Sequence, residues 1–188
     1  MIKKEKLKDY IVILFYVIVL RAIFGFIYEV LFYKINDGTF GHRGTLYGPW
    51  IPIYGYGGLF ITLIAYKLKK QPLLVLLISA LVSGILEFTV GYLLFHISGT
   101  RLWDYNTEIW NFGNIDGLVC LRSVTFFGLS ALLLVYGMIP FCIYLSKKIN
   151  TKVFAIITIS IFSIILIDEI YNLVIGRVFN LPRAYDTT

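Results

Sequence analysis

The sequence predicts an all-α membrane protein: a bundle of five transmembrane helices, the second broken at its external end. Composition and run length predict the class, and one motif predicts the break. Apolar residues make up 59% of the 188 residues and charged residues only 15%, a balance suited to a bilayer rather than a soluble domain. Five apolar runs, at about 10–33, 48–66, 72–96, 119–145 and 153–176, each approach the ~20 residues that a spanning helix needs. They fill one transmembrane domain over 1–188 and leave only short loops, with no nucleotide-binding motif. The stretch 43–58, RGTLYGPWIPIYGYGG, opens the second run and is dense in helix breakers.

Charge sets the expected orientation. The net charge of +6 comes mostly from lysines at three places: Lys3, Lys4, Lys6 and Lys8, then Lys67, Lys69 and Lys70, then Lys147, Lys148 and Lys152. The alternate set of loops holds Lys34, Arg43, Arg101, Arg177 and Arg183. The positive-inside rule then places the N-terminus in the cytoplasm and the C-terminus outside, in a multi-pass cell-membrane protein. The basic leader lacks a small-residue cleavage site, so the first span reads as an uncleaved anchor. This basicity serves topology and implies no nucleic-acid partner; the implied surroundings are membrane lipids. Cys120 and Cys142 fall in one span, about 33 Å apart along a helix, too far to bond. No metal-binding pattern and no cofactor motif is present.

In the first span, steps of four residues put Arg21, Gly25 and Glu29 on one face. Ionisable groups at membrane depth are expensive and usually face a bundle interior. In the second run, Pro49 and Pro52 lack amide protons, and Pro52 crowds the carbonyl of Gly48. Backbone groups freed in this way must be covered by protein or face a wet cavity. The segment is therefore expected to enter as irregular backbone and to become a regular helix after about Gly58. Such broken helices occur at transport sites, although a kinked packing helix with interfacial aromatics reads the same way.

Gly84, Glu87 and Gly91 share one face of the third span. Small residues let helices approach closely, so Glu87 is expected to be buried, with Arg122 or Arg21 in reach, or else protonated. The long loop 97–117 carries Trp103, Asp104 and Tyr105 and is expected to act as a lid. Asp104 is expected to meet Arg43 there. Arg122 opens the fourth span, where it either snorkels or joins the acids. Asp168 and Glu169 lie in the fifth, with Tyr171 and Asn172 extending the polar face. Glu29, Glu87, Arg122, Asp168 and Glu169 thus gather in the outer half of the membrane, around a polar cavity.

Three groups of residues resemble the signature of one family. They are Arg43-Gly44-x-Leu46-Tyr47-Gly48-Pro49-Trp50-x-Pro52-Ile53-Tyr54-Gly55-x-Gly57, then Glu87 with Gly91, then Trp103-Asp104-Tyr105, Asn111, Gly117 and Cys120-Leu121-x-Ser123. The family is that of small integral membrane proteins known as CmpB-like, or type IV, putative ABC-transporter permeases. Phe127-Gly128 stands where the family pattern has Trp-Gly, and Phe95-His96 where it often has an acid. The resemblance implies a permease component working with a separate ATPase subunit.

The residues leave three functional readings open. The first is a permease-like component whose substrate site in the outer half-membrane is lined by Arg43, Tyr47, Trp50, Tyr54, Glu87, Trp103, Asp104, Tyr105 and Arg122. Its buried ionisable groups are Arg21, Glu29, Asp168 and Glu169, and the excess of acids suits a cationic substrate or proton coupling. The second is a membrane-embedded enzyme acting on a lipid or lipid-linked substrate at the outer leaflet, with Asp104, Glu87 or Asp168 as acid/base candidates and Arg43 and Arg122 holding a phosphate, though without a metal-binding motif or a Ser-His-Asp set. The third is a structural or regulatory subunit. A homo-oligomer fits all three.

Overall fold

The structure is a computed structural model and describes residues 4–99 and 101–184. Lys3, counted above among the cytoplasmic lysines, and the last four residues of the chain lie outside the described residues. The fold is all-helical, with no strand among the described residues. Four helices there are long and apolar enough to cross a membrane: Tyr10–Asn36, Pro72–Ile97, Leu121–Lys148 and Thr151–Val178.

The first of these lies in α1, Lys4–Asn36. The Asn36-Asp37-Gly38 turn stops it, and Lys34 Nζ donates to Gly38 O at 2.7 Å across the stop. α3, Pro72–Ser98, carries Pro72 in its first turn, where a missing N–H costs nothing. It ends at Gly99, whose left-handed φ of 68° lets its N–H reach Phe95 O.

The fourth predicted run is not one regular helix. α4, Leu121–Leu133, passes through a π turn, Leu134–Met138, into α5, Ile139–Lys148. Pro140 has no N–H for the carbonyl one turn back, and the π turn takes up that interruption. The fifth run likewise consists of α6, Thr151–Ile170, then a π turn, Tyr171–Ile175, and a short α7, Gly176–Val178. Asn150 caps α6 by accepting from Lys152 N at 2.9 Å.

The second run departs from expectation. Its helix, α2, spans Pro52–Ala65, about 21 Å at 1.5 Å per residue. A 3-10 turn, Tyr66–Leu68, follows it. Regular helix begins at Pro52, not after about Gly58, because proline is accommodated at a first helical position. The irregular part is 37–51.

The chain forms two compact units, one built from the segments up to Leu59 and from Met138 onward, the other from Phe60–Gly137. In the first, α1 packs against α5 and α6. Phe15 meets Phe162 at 4.7 Å and Tyr16 meets Phe154 at 5.1 Å between ring centroids. The head of α2 presses on α1 so closely that a Cβ on Gly55 would sit 2.8 Å from Ile18 O. In the second unit α3 packs on α4. There a Cβ on Gly128 would lie 3.0 Å from Leu76 O, and one on Gly84 2.9 Å from Val124 Cγ1. Small residues hold both contacts together, as membrane helices require when apolar burial gives no advantage over lipid.

Candidate functional site

In the first unit the irregular segment is fastened to α6. The carboxylate of Asp168 accepts four hydrogen bonds. Oδ1 takes Tyr47 N at 3.2 Å and Asn172 Nδ2 at 2.7 Å, and Oδ2 takes Gly48 N at 2.9 Å and Trp50 Nε1 at 3.0 Å. The local sequence explains the geometry. Pro49 offers no N–H, and Trp50 N turns back to Gly48 O at 2.9 Å. That fold leaves the amides of Tyr47 and Gly48 and the indole N–H of Trp50 to converge on one acceptor. At the far end of the segment, Ile51 N donates to Ala22 O at 3.0 Å, which joins it to α1.

The neighbouring acids hold the helical part of the same element. Glu169, buried, accepts from Tyr56 Oη at 2.6 Å. Glu29 accepts from Tyr54 Oη at 3.0 Å. Tyr54 fits there because Gly25 has no side chain: a Cβ at that position would sit inside the Tyr54 ring. Arg21 is fully buried one turn before Gly25, its guanidinium 5.6 Å from the Phe24 ring and its stem against Gly58. Arg21, Gly25 and Glu29 thus share one face of α1, and that face carries the head of α2.

The last described residues fold back onto this cluster. Pro182 O accepts from the hydroxyls of Tyr47 at 3.0 Å and Tyr171 at 3.1 Å. Ala184 N donates to Asn172 Oδ1 at 2.8 Å. Arg43 lies over the Tyr33 ring, its Cζ 3.3 Å from the centroid.

The second unit carries a separate network. Glu87, 4% exposed on α3, accepts from Ser123 Oγ at 2.8 Å and from the Tyr105 hydroxyl. Burial, then the charge of Glu87, raises the Tyr105 hydroxyl well above the ordinary phenol range. Arg122 pairs with Glu108, their side chains 14% and 4% exposed. Its guanidinium also lies 5.3 Å from the Tyr105 ring centroid. Glu87 is buried as expected, with Arg122 near enough to act on it through its charge, and its direct hydrogen bonds come from two hydroxyls.

Loop 97–117 is folded on itself. Asp104 pairs with Arg101 at 3.7 Å and caps the turn through Asn106 N at 3.0 Å. Trp103 Nε1 donates to Leu118 O at 3.0 Å, and Tyr105 N to Gly117 O at 3.0 Å. Within their own units, Asp104 pairs with Arg101 and Arg43 lies against Tyr33. Gly91 leaves room for Trp103 and Leu118, whose atoms would stand 3.0 and 2.9 Å from a Cβ there.

Sequence reasoning missed Glu108, Ser123 and Tyr56 as partners of the chosen residues. Ser123 had a signal, because Cys120 and Ser123 form a capping box at the start of α4. Cys120 and Cys142 are both buried and free. No group of side chains among the described residues could hold a metal ion.

A family model described as Putative ABC-transporter type IV matches residues 14–173, and the chain belongs to that family. The match covers α2, both acid clusters and the loop between α3 and α4. No curated protein and no solved structure matches the chain.

Proposed function

From membership of that family we propose that the protein is a multi-pass membrane component of a transport system, working with a separate ATPase subunit. The substrate site lies in the outer half of the membrane. Tyr47, Trp50 and Tyr54 face substrate in the first unit. α2 is the fifth membrane element, entering through its broken external end, and the N-terminus is cytoplasmic while the C-terminus is external.

One observation carries this reading. The acid pair Asp168–Glu169 is held by neutral donors: backbone amides, an indole, a carboxamide and a phenol. Hydrogen bonds of this kind stabilise a carboxylate without cancelling its charge. The irregular segment and the two acids therefore form one polar unit, which suits a cationic substrate or proton coupling. Discontinuous helices at membrane depth serve such sites in other transporters.

The network in the second unit favours a structural role for its own residues. Glu87, Tyr105, Ser123, Arg122 and Glu108 bond to one another, an arrangement that fixes a loop on two helices.

The test is purification of the tagged full chain from its own membrane in mild detergent. A stoichiometric nucleotide-binding subunit, with ATP hydrolysis that falls in the Asp168→Ala variant, supports the reading. Recovery of a stable assembly lacking any such subunit would defeat it. Topology is tested separately: cysteines at Asn106 and Lys69 should label from outside and inside respectively.

A further inference from the structure

We propose that Arg43, laid on Tyr33 at the Asn36 end of α1, is a binding site for a phosphate group, such as the phosphodiester of an anionic lipid headgroup. The site goes beyond the transport reading and does not depend on it.

Arg43 differs from the other arginines whose partners are described. Arg101 has Asp104 and Arg122 has Glu108. Arg43 has no carboxylate within ion-pair distance among the described residues, and its Nε is buried without a hydrogen-bond partner. Its terminal nitrogens are not buried and donate to no described protein group. The Tyr33 ring, its centroid 3.3 Å from Arg43 Cζ, covers one side of the guanidinium. The N–H donors left without a protein partner form a planar fork that matches two oxygens of a phosphate.

The surroundings hold that fork in place. Gly44, with φ of 82°, turns the chain immediately after Arg43. His42 Nε2 lies 2.5 Å from Leu46 O, and Leu46 is fully buried. The next residues are fixed by Asp168. Tyr33 stands one turn from the end of α1, so the fork sits where a spanning helix leaves the hydrocarbon and meets headgroups. Leu31, Ile35 and Phe40 are exposed on the same stretch and suit acyl chains. Lys34 adds positive charge beside Tyr33, while Asp37, held by Asn36, is the acid of this loop.

The experiment uses the purified full chain in nanodiscs of phosphatidylcholine, with and without phosphatidylglycerol. Retained lipid is read by native mass spectrometry and Tm by calorimetry. Wild type should retain phosphatidylglycerol preferentially and melt higher in its presence. R43Q should retain it roughly tenfold less, as expected for loss of charge-assisted hydrogen bonds. R43K keeps the charge without the fork and should fall between. Inorganic phosphate added to phosphatidylcholine discs separates the sources: a matching Tm rise, lost in R43Q, assigns the site to free phosphate. No preference for phosphatidylglycerol and no response to phosphate in wild type would overturn the proposal. So would undiminished retention by R43Q. If R43Q does not fold in phosphatidylcholine, R43K decides, and retention equal to wild type overturns the fork.

Discussion

Asp168→Asn is the sharpest perturbation of the first unit. It keeps the shape of the side chain and turns one acceptor oxygen into a donor. Each carboxylate oxygen of Asp168 receives two N–H groups. Whichever oxygen becomes an amide, two hydrogen bonds are lost and two donors face a third. A net value of about 0.5–1.5 kcal/mol per bond, lowered by the partial exposure of Asp168 and raised by the donors left unpaired, gives about 2–3 kcal/mol. In a chain of this size that corresponds to a fall in Tm of about 5–10 °C. The more specific assay is amide hydrogen exchange. Peptides covering 44–51 should exchange roughly tenfold faster or more, while those from α3 and α4 keep their protection. Asp168→Glu retains both acceptors and should recover part of the protection. If Asp168→Asn melts within about 1 °C of wild type, and 44–51 exchanges as before, the carboxylate does not hold the segment.

Three further outcomes follow from the same structure. Gly25→Ala forces a Cβ into the Tyr54 ring, so Tyr54 must leave Glu29; the expected loss is about 1–3 kcal/mol, read as a lower urea midpoint, and a neutral result would mean that α2 shifts freely on α1. Arg122→Gln and Glu108→Gln should each destabilise, and their double-mutant cycle should return a coupling of about 1–3 kcal/mol, because both side chains are largely buried; a coupling near zero would make the pair a surface contact. The Tyr105 hydroxyl is raised by burial and by Glu87, so folding favours its neutral form, and that stability is present below the unfolded tyrosine value of about 10 and declines as pH rises above it. Wild type should therefore lose more stability than Tyr105→Phe between pH 9 and 11, and equal losses would remove Tyr105 from the account.

What the sequence made legible was what depends on local runs of residues. α1, α3, the α4–α5 pair and α6 with its π turn each carry an apolar run long enough to span. The two π turns were not legible, since a π turn differs from an α turn by one hydrogen-bond step that composition does not encode. Pro140 was the one available hint for the first of them. The face holding Arg21, Gly25 and Glu29 was readable from helical periodicity. What it faces was not, because Tyr54 reaches Glu29 only after the chain doubles back. Asp168 and Gly48 are likewise brought together across 120 positions of sequence, and no single-chain pattern names such a pair. The local pairing of Asp104 with Arg101 at 3.7 Å was within reach of the sequence, since the two stand three residues apart and a short loop closes at low entropic cost. At Glu87 periodicity gave the buried face, while the hydroxyls of Tyr105 and Ser123 that donate to it were not legible, because periodicity places a face and does not name what meets it.

The acid pair and the irregular segment explain one another. Amides that leave helical geometry and are shielded from water must find acceptors in the protein. Segment 47–50 presents three donors at once, two from the backbone and one from an indole. A single carbonyl cannot accept three, whereas a carboxylate has about four lone-pair sites. Asp168 supplies them, and Asn172 fills the remaining one at 2.7 Å. Asn172 in turn uses its oxygen on Ala184 N at 2.8 Å, so one carboxamide joins the segment to the returning tail. The π turn, Tyr171–Ile175, contains Asn172, and a local change of helical register is one way to aim a side chain along its own helix and across to the tail. Glu169, adjacent on the helix and so turned to another face, takes Tyr56 from the regular part of α2. Two neighbouring acids on α6, hard to explain as packing, thus hold two successive pieces of chain: Asp168 the irregular segment and Glu169 the first turns of α2.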